Sequence, residues 1–111
     1  MRLRIAAISV AGALVLMSTG AGAAIDDKKA TELINKGGCS ACHSVDKKLV
    51  GPSYVEVAKK RKGAKDAAAA IAKKVREGGA GAFGQIPMPP NPKDKISDAD
   101  LKALVDWVLS K

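Results

Sequence analysis

Cys39-Ser40-Ala41-Cys42-His43 stands near the middle of a 111-residue chain, and the needs of these five residues bear on everything around them. Residues three apart in a helical turn project toward nearly the same side, so both sulfurs can reach two points along one side of a flat ligand. His43 lies about a third of a turn further round, which carries its imidazole over the face of that ligand. The pattern is C-x-x-C-H, the attachment sequence for c-type haem, with Cys39 and Cys42 as thioether links and His43 on the iron. Two other chemistries use similar residues. A thiol-disulfide redox pair sits at a strand-to-helix junction, and no strand pattern occurs in this chain. A zinc site takes four nitrogen or sulfur ligands, and there is no third cysteine or second histidine to complete one.

Helical signals flank the motif. Upstream, Asp26 or Asp27 caps a helix to about Lys36, with Ala30, Leu33 and Ile34 on one face and Gly37-Gly38 ending it. Downstream, Gly51-Pro52-Ser53 breaks the chain, and Ser53 with Glu56 forms a capping-box pattern for a short helix to about Lys62. Its exposed end is the run Lys59-Lys60-Arg61-Lys62. An Ala-rich helix follows from roughly Lys65 to Arg76, with Ile71 and Val75 as its large apolar anchors, and Gly78-Gly79 stops it. Ser97 with Asp100 supplies a second capping box, and Ile96 with Leu101 a hydrophobic staple, for a last helix striped by Leu101, Leu104, Val105 and Val108, with Trp107 at the edge. The fold class is all-α.

Gly81 through Lys95 contains Pro87, Pro89, Pro90 and Pro92, which exclude helix and central strand. Met88 lies inside this loop. With His43 the sole histidine and Met88 the sole methionine after the first 23 residues, Met88 is the expected ligand on the second face of the iron. Thioether coordination opposite histidine favours ferrous iron. The flanking prolines hold the loop near one conformation beforehand. With both axial positions filled, no site is open for substrate, which suits electron transfer rather than oxygen or peroxide chemistry. The alternatives are a haem subunit of a larger oxidoreductase complex and a peroxidase-like haem protein in which Met88 is labile.

The first 23 residues read as an address. Arg2 and Arg4 precede an uncharged apolar stretch from Ile5 to Met17, and Ala21-Gly22-Ala23 matches a small-residue cleavage site. This predicts a secretory signal peptide over residues 1–23, a mature domain over 24–111 and a periplasmic location. The competing reading is a retained anchor, since the uncharged span is close to the roughly 20 residues that cross a bilayer. Removing Arg2 and Arg4 leaves 17 basic against 11 acidic residues, a net charge of +6. Such a surface attracts acidic partners, and export removes nucleic acid from consideration. Tyr54, Phe83 and Trp107 are the only aromatic residues. So small a domain with so few of them needs a further element to complete its core.

Taken together, Cys39 to His43, Gly51-Pro52, the Gly-rich run ending at Gly84, Ile86 to Asn91 and the helix from Ser97 resemble the small bacterial class I cytochromes c of the 551/552 type. The resemblance covers nearly all of residues 26–110. It implies four to five short helices wrapped around one covalent haem c, the first and last crossing near Leu33 and Trp107. It also implies that the Pro52 carbonyl accepts the His43 Nδ1 hydrogen and orients the ligand; by spacing alone, Pro52 is equally a helix-starting proline. Where many relatives place a tryptophan whose indole donates to a haem propionate, this chain has Phe83, which has no donor. The expectation is a monomeric electron shuttle between redox proteins with acidic docking surfaces, steered by Lys47, Lys48 and the Lys59–Lys62 cluster.

Overall fold

The computed structural model describes Gly12 and residues 24–111. The expected signal peptide, residues 1–23, lies outside the described residues apart from Gly12. Among the described residues four α-helices follow one another, α1 over Asp27–Lys36, α2 over Tyr54–Arg61, α3 over Ala67–Glu77 and α4 over Asp98–Leu109, with a single 3-10 turn at Cys39–Ala41. Among the described residues none of these helices is long and apolar enough to cross a membrane.

Local chemistry sets three of the four starts. The Asp26 carboxylate accepts from Lys29 N at 2.7 Å, the Ser53 hydroxyl from Glu56 N at 3.1 Å and the Ser97 hydroxyl from Asp100 N at 3.2 Å. Each satisfies one of the amides that a helix N-terminus leaves without a partner. The third helix has no side-chain cap and begins at Ala67, two residues later than the composition suggests. Its start is a turn in which Ala67 N donates to Ala64 O at 3.3 Å.

The last helix is the organising element, in contact with α1, α2 and α3. Leu101, Leu104, Val105 and Val108 all face inward, as their spacing requires. They pack with Ala30, Leu33 and Ile34 of α1, Tyr54 of α2 and Ile96, while Ile71 and Val75 of α3 join from the side. Trp107 is part of this core rather than at its margin, with 8% of its surface exposed. Its indole Nε1 donates to Asp27 Oδ1 at 2.9 Å, which ties α4 to the first turn of α1. The Pro-rich segment between α3 and α4 is ordered by backbone pairing. Gly79 and Met88 exchange two hydrogen bonds of 2.9 Å, and Asn91 N donates to Val75 O at 2.9 Å.

Candidate haem site

Cys39 and Cys42, both half-buried, sit on and just after the 3-10 turn that Gly38 opens. The turn is tight because Cys42 N and His43 N both donate to Cys39 O, at 3.1 and 2.9 Å. Burial pushes the Cys39 thiol up, and the nearby Cys42 sulfur adds to the shift. His43 follows the turn, and its Nδ1 lies 2.7 Å from the Pro52 carbonyl oxygen. A carbonyl only accepts, so Nδ1 is the protonated nitrogen and Nε2 keeps its lone pair for another partner.

The imidazole is seated on three sides. Gly51 N donates to Cys42 O at 2.8 Å, closing the chain back toward the motif. A methyl group on Gly51 would stand 2.7 Å from His43 Cε1, so glycine there is a condition of the ring's position. Tyr54 stacks on the ring, with centroids 5.6 Å apart, and meets Trp107 edge-on at 5.7 Å. Sequence spacing gives no hint of this Tyr54 platform.

Met88 enters from the opposite end of the chain. Gly78 makes its close approach possible: it has φ +69°, and a Cβ there would overlap the Met88 carbonyl. Asn91, with 6% of its surface exposed, donates from Nδ2 to Gly37 O at 2.8 Å. This bond joins the methionine loop to the residue two before Cys39.

Cys39, Cys42, His43, Pro52 and Met88 all line one cavity of about 470 Å³, walled mainly by apolar groups from α2, α3, α4 and the 79–89 loop. The size is that of a small-molecule or cofactor site. Among the described residues three buried side-chain atoms have no hydrogen-bond partner, Tyr54 Oη, Arg61 Nε and Asn91 Oδ1. All three residues line this same cavity. Buried polar atoms left unpaired cost about 1–3 kcal/mol each, so the wall is built for a ligand that is apolar in bulk and polar at a few points. Among the described residues no cluster of three or more His, Cys, Asp or Glu side chains is placed to hold a bare metal ion.

An all-α shell closed around such a cavity, with a C-x-x-C-H turn in its wall, defines the class of proteins that carry a covalently bound haem c. The sequence model described as cytochrome c matches residues 28–111. The chain is 53% identical over 78 residues to cytochrome c2 of Rubrivivax gelatinosus, an overlap of 70% of this chain and 92% of that protein. It is 49% identical over 79 residues to cytochrome c-551 of Azotobacter vinelandii, covering 71% and 93%. The crystal structure of wild-type Nitrosomonas europaea cytochrome c552 superposes with a TM-score of 0.66 at 48% identity, covering 72% of this chain and 96% of that one. The chain belongs to the cytochrome c family, with the all-α fold and covalent haem c of that family, and its function is electron transport.

Proposed function

We propose that this protein is a monomeric periplasmic shuttle that carries one electron at a time, with His43 and Met88 as the two axial ligands of the haem iron and Cys39 and Cys42 as its thioether anchors. One observation carries the reading: His43 and Met88 line the same cavity, and each is fixed from behind by backbone, the imidazole by the Pro52 carbonyl and the methionine by its paired bonds with Gly79. Haem c, when bound, supplies exchange between Fe(II) and Fe(III). The residues of the chain hold both sides of the site in place, so that little rearrangement accompanies the change of charge.

The mouth of the cavity supports docking. Leu49, Val50, Phe83 and Ile86 are large apolar side chains left exposed, and all four line the cavity. Lysines surround them: Lys48 lines the cavity, and Lys60 Nζ lies 4.5 Å above the Phe83 ring. Lys60 is thus a steering candidate on a par with Lys47 and Lys48. An apolar centre with a positive rim fits redox partners that carry acidic patches. Residues 1–23 are the export signal in this reading, removed on reaching the periplasm.

Oxidised holoprotein exported from a host with haem-attachment machinery provides the test. Ferric iron bound by a thioether gives a weak far-red charge-transfer band, expected here at neutral pH. Its absence, together with rapid binding of peroxide or cyanide, would favour an open sixth position and haem enzyme chemistry instead. The intact mass of the same sample reports covalent haem and leader removal at once.

A further inference from the structure

Phe83 lines the haem cavity. Haem c carries two propionate carboxylates, and a phenylalanine ring donates to neither. The cavity wall contains three cationic side chains, Lys48, Arg61 and Lys74, and no Asp or Glu. Two nearby lysines are engaged by the 80–84 loop itself. Lys74 Nζ donates to Ala80 O at 3.4 Å, and Lys60 Nζ donates to Ala82 O while lying over Phe83.

Arg61 is different. It is the last residue of α2, where the helix dipole favours a cation. Its Nε is buried without a hydrogen-bond partner, and among the described residues it forms no ion pair with any carboxylate of the chain. Arg61 as a whole is half-buried, and a buried donor such as its Nε is costly when left without an acceptor. Its fork of donors matches a carboxylate in two parallel hydrogen bonds.

We infer that Arg61 is the positioning residue for a haem propionate in this chain. The inference rests on the haem reading of the cavity and is independent of which residue is the sixth ligand. A fixed positive charge beside the haem disfavours ferric iron, so Arg61 raises the reduction potential.

The test uses holoprotein of the wild type, Arg61→Lys and Arg61→Met, measured by redox titration and by resonance Raman of the propionate bending mode. In Arg61→Met the midpoint potential falls and the propionate mode shifts, while the far-red thioether band is retained. Arg61→Lys keeps the charge and loses the fork, so its potential stays near that of the wild type while the mode still moves. An unchanged mode in Arg61→Lys overturns the inference even where Arg61→Met yields too little holoprotein to measure. Unchanged potential and mode in Arg61→Met overturn it as well. Loss of the far-red band in the wild type bears on the axial-ligand reading alone.

Discussion

Gly51 leaves no room for a side chain beside His43. The nearest ring atoms would lie 2.7 and 3.1 Å from a methyl group placed there, and the second of them, Nδ1, is the atom held by the Pro52 carbonyl at 2.7 Å. Gly51→Ala therefore strains the site at its most constrained point, at a cost of about 1–3 kcal/mol, typical of overpacking. Thermal unfolding of the holoprotein should show a clear fall in Tm, with a changed reduction potential as the imidazole tilts. The C-x-x-C-H pattern was legible because its geometry is contained in five residues. The seat of His43 was less so. Tyr54 and Gly51 act through contact, and spacing along a chain carries no record of which ring will lie on which.

At the level of the elements, capping chemistry read true because it is local. Asp26, Ser53 and Ser97 each bond an amide three residues on, as the side chains alone suggest. The start of α3 lies two residues beyond the expected Lys65 because it has no such cap, only a turn. The Pro-rich segment was legible as a break in helix but not as a paired structure, since its order comes from Gly79 and Val75, residues outside the segment. Ser97 deserves a direct trial because α4 touches every other helix. Ser97→Ala removes the acceptor for Asp100 N and should cost about 1 kcal/mol. In a domain of this size, that lowers Tm by about 4–8 °C, measurable by circular dichroism of the holoprotein with the haem spectrum unaltered.

Across the whole molecule, the two terminal helices are fastened by one exposed carboxylate. Asp27 accepts from Trp107 Nε1 and pairs with Lys111 Nζ at 3.5 Å, while that same ammonium lies 4.3 Å above the Trp107 ring. The indole donor first, and the Lys111 charge second, hold the Asp27 carboxyl below its ordinary 3.8. A carboxyl depressed on folding contributes stability that is full above the unfolded value and is lost as pH falls through the lower folded value. Tm should thus decline on acidification below about pH 3.8, and Asp27→Asn should reduce that decline while lowering Tm at neutral pH. An equal acid sensitivity in both proteins would place the effect elsewhere. This clasp joins residues 80 apart in sequence, which is why Trp107 looked marginal on the helical stripe and proved to be core.

The two walls of the haem site are closed over very different lengths of chain. His43 is secured to Pro52 across nine residues, whereas the methionine loop is secured to Gly37 by Asn91 across 54. Loop-closure entropy grows with the logarithm of length, and this ratio makes the Asn91–Gly37 bond costlier to close than the His43–Pro52 bond by roughly 1.6 kcal/mol. Breathing of the native state is therefore lopsided: the distal wall swings away while the proximal wall holds. Native-state hydrogen exchange should find the Asn91 side-chain amide, which makes the long closure to Gly37, less protected than the amides of Gly51 and Tyr54, so that the molecule opens, when it does, like a door hung on its histidine side.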